Sequence, residues 1–316
     1  CSCKIMIIKA PIDLELTQNS GQTSQPPWKL DNNIYSDVVV ADNKAVLFQV
    51  KQKENNLDFN FIGDISNKEA TKKIKTIFDL DFNLNKFYKY LNNQPELADM
   101  TNFCRDLRLF LAKDKFECVI SSVCSANNSI VRWTKSIDDI KKSWGNKYTY
   151  SEKDYFTFPD VSDFKNIYCD DVEEFECCSN LNNPGECINN LKSCGVGYRA
   201  PYMKKASEIF TLEMDLDDIS KMSYDEAFDT MLKVPGVGPK VADCILLYGF
   251  NFRQAFPTDV WIKRIVSYLY FDGKNINVSK IREFGMEEFG DYAGYVQLYL
   301  FHYARMSGLM KKLKGM

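Results

Sequence analysis

Lys240 and Asp259 are the two residues whose types and spacing can carry chemistry. Lys240 opens the apolar half of LKVPGVGPKVADCILLYGF, residues 232–250, directly after a turn through two glycines and two prolines. A neutral lysine amine is a nucleophile that forms Schiff bases at carbonyl-type carbons. At the start of a helix, the dipole and partial burial both disfavour an ammonium. Asp259 follows 19 residues later in AFPTDVWIKRIVSYLY, residues 255–270. One helix and one loop of that length return the chain beside the turn. A carboxylate there can stabilise developing positive charge or assist proton transfer. On the turn alone, a lysine that contacts an anion or faces solvent reads equally well. Asp259 is also a natural helix N-cap, a role compatible with the chemical one.

The elements that must position this pair are legible around it. Ser223 with Glu226 three residues on is a capping box, and Phe228, Met231 and Leu232 supply the stripe of the helix it starts. That helix stops before Pro235. Gly236 and Gly238 are expected to take backbone angles closed to other residues. Pro239 suits the first position of the next helix, with Val241, Cys244, Ile245 and Tyr248 as its apolar face. The unit is a helix–hairpin–helix. The amides around Gly236, Val237 and Gly238 and the helix dipole together favour a phosphate, without reading sequence.

Upstream, residues 35–63 alternate, are rich in Val, Phe and Ile, and are punctuated by ADNK and KENN. Short spacing favours antiparallel hairpins over βαβ units. From about Thr71 the period becomes helical, through NKFYKYL, MTNFCRDLRLFLAK and residues 114–144, with a break near ANNS. The expected fold is α+β: an N-terminal α/β module over residues 1–110, then all-helical domains over 111–316 with the helix–hairpin–helix at about 223–250.

With 316 residues, 45% hydrophobic and 14% aromatic, the chain is expected to be globular. No apolar run reaches a membrane span and IMII is too short for a signal peptide, so a soluble intracellular protein is expected. The net charge of −3 argues mildly against nucleic acid as a partner, without excluding a basic face. Of 11 cysteines, Cys169, Cys177, Cys178, Cys187 and Cys194 fall within 26 residues. They lack CxxC spacing, so reduced thiols are favoured over a zinc-stabilised insert.

VPGVGPKVADC followed by AFPTDVW resembles the helix–hairpin–helix DNA glycosylases with the Gly/Pro-Asp signature, and within them the 8-oxoguanine DNA glycosylases. FECVISSVCSANNSIVR (116–132), CGVGYRAPY (194–202) and GDYAGYVQLYLF (290–301) resemble further family segments in family order. Fainter likeness reaches NSGQ and IFDLDFNLNKFY. The resemblance implies a TBP-like antiparallel sheet followed by helical domains, acting as a monomer on double-stranded DNA that contains oxidised guanine. It implies base removal and strand cleavage by β-elimination, with no metal or cofactor. In a bacterial or archaeal cell the enzyme would work at the nucleoid, in a eukaryote in the nucleus. Ring-opened purines are further candidate substrates.

By that resemblance Lys240 is the Schiff-base nucleophile and Asp259 the catalytic aspartate. Phe301, Gln297 and Cys244 form the base pocket with Pro257, Phe301 as stacking face and Gln297 on the Watson–Crick edge. Gly21 matches the glycine whose carbonyl accepts the N7–H that only oxidised guanine carries. Asn127, Arg132 and Arg199 match residues at the orphaned cytosine, and Tyr198 the wedge that props the duplex. Those types suit the hole left by base flipping. Tyr198 as core and Arg132 as plain surface are the bland alternatives. The chain departs from the pattern at TSQPPW after Gly21, at Trp261 where a His is common, at Ala304 where an acid is common, and at Pro239. No cysteine follows Cys244, which removes the iron–sulfur branch. Alkylpurine glycosylases lack the hairpin lysine. A non-catalytic DNA-binding module remains the reading from another class, and a glycosylase for another damaged base the nearer alternative.

Overall fold

Alternating residues in the first part of the chain have one face to bury, and they pair as strands. A computed structural model describes residues 5–41, 43–169 and 189–314. The N-terminal part carries β1 (Met6–Lys9), α1 (Leu14–Asn19), β2 (Lys29–Asp31), β3 (Ile34–Ala41), β4 (Lys44–Lys53), β5 (Asn56–Ile62) and α2 (Asn67–Ile77). The five strands make one antiparallel sheet in the order β1-β5-β4-β3-β2. Val39, Val46, Phe48, Val50, Leu57 and Phe59 share one core with Ala70, Ile74 and Ile77 of α2, which covers them.

The helical half follows with α3 (Leu84–Asn92), α4 (Met100–Phe103), α5 (Lys115–Ser125), α6 (Ile130–Trp144), β6 (Lys147–Tyr150), β7 (Lys153–Phe156), α7 (Val161–Phe164), α8 (Ala200–Leu212), α9 (Leu216–Ile219), α10 (Tyr224–Leu232), α11 (Pro239–Phe250), α12 (Val260–Tyr270), α13 (Val278–Phe289), α14 (Ala293–Met306) and α15 (Leu309–Lys314). The fold is α+β, as the pattern implies. The helical half has one addition, the hairpin β6–β7, whose Tyr155 packs on Val38 and Leu47 of the sheet's second face. α3 and α4 bury Leu84, Phe87, Leu91 and Met100 in the helical core rather than under the sheet.

One segment departs from its helical reading. α4 ends at Phe103, and residues 104–113 run to α5 outside any helix or strand. Leu107, Phe110 and Leu111 stand at helical spacing, but Arg108 and Leu109 between them are buried too. Burial on every side fits a chain crossing between two cores, not an amphipathic helix. Arg108 is 1% exposed, and its guanidinium donates to the carbonyls of Pro11, Asp79 and Phe82. Loop residues 20–28 dock on the same segment through side chains. Gln22 donates to the Arg108 carbonyl at 2.9 Å and accepts from Phe110 N at 2.8 Å; Ser24 and Gln25 donate to the carbonyls of Phe110 and Leu111.

Beside this seam, Asp37 of β3 pairs with Lys113 and Lys141, and Glu117 of α5 lies 3.9 Å and 3.8 Å from the same two lysines. Burial alone would raise the Asp37 carboxyl, but the two ammonium groups outweigh it and hold it below the usual range. Glu117 is also fully buried, and its carboxyl makes no hydrogen bond among the described residues, so burial dominates and pushes it up. The cluster ties sheet to helices across the seam.

Candidate active site

The hairpin forms as its residues require. Ser223 caps α10 in a capping box with Glu226. The buried stripe of α10 is Tyr224, Ala227, Thr230 and Met231; Leu232 is 39% exposed, because the turn that follows leads the chain away from the core there. Gly236 takes φ +81°, and a Cβ at that position would lie 2.6 Å from the Tyr202 ring, so only glycine fits. Gly238 differs from its sequence reading. It is the N-cap of α11 at φ −92°, an extended angle open to any residue. Its service is a missing side chain: the first-turn amides of α11 have no side-chain cap and are free to meet an outside acceptor.

Lys240 stands second in α11, after Pro239, and is half-buried. Asp259 caps α12, accepting from the amide of Ile262 at 2.8 Å. Both line one cleft of about 790 Å³ with Gly21, Asn127 and Phe301. Both also line a narrower recess of about 80 Å³ with Gly21, Cys244, Gln297 and Phe301. No ion pair joins Lys240 to a carboxylate among the described residues; its amine lies against the Cys244 thiol.

An aromatic ring, a thiol and a side-chain amide line the recess. Phe301 is half-exposed and Cys244 is 3% exposed. Burial pushes the Cys244 thiol up, opposed by the Lys240 amine and the Thr23 hydroxyl, so it remains a protonated S–H donor. Gln297 is 8% exposed, and its Oε1 has no hydrogen-bond partner among the described residues. A buried acceptor without a donor costs free energy that a ligand N–H relieves. Gly21 sits at φ +79° with a would-be Cβ 2.4 Å from Ile130, a close approach that fixes the loop over the recess. Trp28, which ends the divergent TSQPPW loop, is 2% exposed and packs on Phe78 and Phe110.

At the rim, Asn127 sits at φ +51° in the turn between α5 and α6 and lines the cleft. Arg199 is 8% exposed, and each of its three guanidinium nitrogens donates to a backbone carbonyl. It donates to the Ala126 carbonyl at 2.8 Å, to the Asn127 carbonyl at 3.0 Å and to the Val196 carbonyl at 3.3 Å, and lies 4.5 Å from the Tyr198 ring centre. Tyr198 is 58% exposed, so the core alternative for it falls. Arg132 lies in the first turn of α6, at least partly open to solvent, and does not line the cleft. Pro257 is buried just before Asp259 and lies outside both linings.

Sequence reasoning missed Thr23 and Tyr248 as lining residues. Tyr248 stands four after Cys244 and eight after Lys240, a spacing that already placed it on their face; Thr23 sits in a loop that has no period to read. Cys177, Cys178 and Cys187 lie outside the described residues, and no metal-ligating cluster occurs among the described ones. No helix among the described residues is long and apolar enough to cross a membrane.

Residues 4–119 match the family described as 8-oxoguanine DNA glycosylase, N-terminal domain, and residues 120–290 match the HhH-GPD superfamily of base excision DNA repair proteins. The chain is 44% identical to a probable N-glycosylase/DNA lyase of Methanothermobacter thermautotrophicus, over 96% of each chain. It is 26% identical to the N-glycosylase/DNA lyase of Saccharomyces cerevisiae, over 94% of this chain and 85% of that one. The structure resembles Clostridium acetobutylicum 8-oxoguanine glycosylase/lyase in complex with double-stranded DNA containing cytosine opposite 8-oxoguanine. The TM-score is 0.77 at 28% identity, covering 96% and 98% of the two chains.

Proposed function

The chain belongs to the 8-oxoguanine DNA glycosylases of the HhH-GPD superfamily, and from that premise we propose that it excises 8-oxoguanine from duplex DNA opposite cytosine and then opens the strand, with Lys240 as nucleophile. The observation that carries this reading is that Lys240, Asp259, Gly21, Cys244, Gln297 and Phe301, drawn from four separate stretches, line one recess.

In the proposed mechanism the lesion leaves the stack and its ring enters the recess against Phe301. The Gln297 Oε1 accepts from donors on the Watson–Crick edge, and the Gly21 carbonyl accepts the N7–H that guanine lacks. The Lys240 amine attacks C1′ through its nitrogen lone pair as the glycosidic bond breaks; the base departs with the bonding electrons and takes up a proton. Asp259 stabilises the positive charge that develops at C1′. The amine loses its protons as the sugar ring opens to a Schiff base. Loss of a C2′ proton then expels the 3′ phosphate by β-elimination. The first-turn amides of α11 hold a neighbouring phosphate. Asn127 and Arg132 meet the orphaned cytosine beside Tyr198.

The test is incubation with a duplex carrying one 8-oxoguanine opposite cytosine, with borohydride present. A covalent adduct is expected, absent in Lys240→Gln while lesion binding persists. Intact lesion DNA and no adduct with the native protein would overturn the substrate; an adduct undiminished in the variant would overturn the nucleophile.

A further inference from the structure

A second groove, about 370 Å³, adjoins the catalytic cleft. Lys263, Arg264 and Ser267 of α12, Lys274 of the following loop and Leu313 of α15 line it, and Val260 lines both this groove and the cleft. The groove therefore begins one residue past Asp259. α15 adds Lys311, Lys312 and Lys314 beside it. Lys314 and Arg264 lie 5.9 Å and 5.3 Å from the ring centre of Trp261, itself a wall of the catalytic cleft. The Nζ of Lys312 donates to the Tyr268 hydroxyl at 2.7 Å.

What marks this cluster is that several cations converge on one groove with no acid in its lining. Many lysines elsewhere in the chain are paired with carboxylates, as Lys115 is with Asp217, Lys147 with Asp154 and Lys205 with Glu208. Among the described residues, Lys263, Arg264, Lys274, Lys311 and Lys314 have no carboxylate within ion-pair distance. No acid lines the groove; Asp272 is nearby in sequence but outside the lining. The Ser267 hydroxyl, on a residue 6% exposed, has no partner either among the described residues. Like charges gathered without counter-charge raise the local potential and attract a polyanion. In a chain of net charge −3, such a gathering is local by necessity.

We infer that this groove binds backbone phosphates of the duplex flanking the lesion. It extends the footprint from the catalytic cleft along α12 and α15. Continuity through Val260 and Trp261 sets the path, since a duplex seated at Lys240 must leave the cleft over a neighbouring surface. The inference rests on the DNA-repair reading for its ligand and not on the identity of the lesion.

The test compares native protein with Lys263→Gln/Lys274→Gln and with Lys314→Gln. All three positions are at least partly exposed, and Lys68→Gln/Lys72→Gln on α2 is the control of equal charge change. Binding to an undamaged 20-base-pair duplex is followed against salt. Every phosphate that a variant no longer neutralises lowers the slope of log K against log salt by about 0.9, so the groove double variant is expected to lose about 2 and the α2 variant nothing. The borohydride adduct at saturating protein should form at native rate in every variant, since none touches the reacting atoms. An unchanged slope in the groove variants, or an equal fall in the α2 control, overturns the inference. Absence of an adduct with native protein would instead strike the catalytic reading and leave the salt comparison intact.

Discussion

Arg199 shows how far a residue type carries an argument and where it stops. Its type suits a bidentate contact to an orphaned base, yet in the free protein its N–H groups are spent on the carbonyls of Ala126, Asn127 and Val196. It therefore shapes the turn that presents Asn127, whereas Arg132 is open to solvent. Arg199→Ala is expected to cost about 2 kcal/mol of stability, the range for hydrogen bonds to a charged group, and also to weaken the preference for cytosine opposite the lesion. Arg132→Ala should weaken that preference alone. Chemical denaturation read beside cleavage of lesions opposite each base separates the two, and equal effects on stability would refute the distinction. His302, the single histidine, follows Phe301 on α14 and is 8% exposed. Burial, then Arg305, depresses its basicity, with Asp13 opposing weakly. A folded-state value below the unfolded one gives stability that is present above about pH 6.5 and lost as pH falls through the folded value. The melting-temperature difference between native protein and His302→Asn should shrink or reverse below about pH 6; a pH-independent difference would exclude this role. Lys240 and Asp259 stood out as residues at a helix start and a cap, whereas Gln297, Cys244 and Phe301 were singled out by the resemblance, helical spacing showing only that they share faces with their partners. What Arg199 touches was not, because its partners at Ala126 and Asn127 lie 73 and 72 residues away.

At the scale of elements, the hairpin's two halves have different tolerances. Gly236 is locked by φ +81° and by Tyr202. Gly236→Ala is expected to cost at least the roughly 1–2 kcal/mol of a left-handed residue and to weaken DNA binding, as the amides shift. Ser223→Ala removes a cap and should cost about 1 kcal/mol with excision rates intact. Melting curves and single-turnover excision read together check both, and a Ser223→Ala variant that loses excision would show the cap to be more than structural. Capping boxes and the hairpins of the sheet could be read directly, since both rest on neighbours in sequence. The 104–113 crossing could not. Leu107, Phe110 and Leu111 imitate a helical stripe, and only the burial of Arg108 between two cores reveals an irregular crossing. The hairpin β6–β7 escaped for a related reason: four-residue strands carry too few alternations to separate from loop.

For the whole molecule, the seam between sheet and helices decides cooperativity. Asp37 reaches from β3 to Lys113 and Lys141 on the helical side. Removing one member of a buried charge set costs about 3–5 kcal/mol, so Asp37→Asn should lower the denaturation midpoint sharply while both halves still unfold together. Separate transitions for sheet and helices in the native protein would contradict a shared seam. Nothing local in the sequence pairs residue 37 with residues 113 and 141, so this part of the fold had no signature to read. The same seam bears on how the enzyme can change. Gln22, Ser24 and Gln25 grip the crossing segment while their neighbour Gly21 roofs the recess. On the proposed reading, selectivity and foldability thus share one short stretch of chain. A library randomised over residues 20–28 in search of new substrates will return mostly insoluble protein, whereas drift toward other lesions has an easier route through residues 297 and 301, on a helix that holds its shape without them.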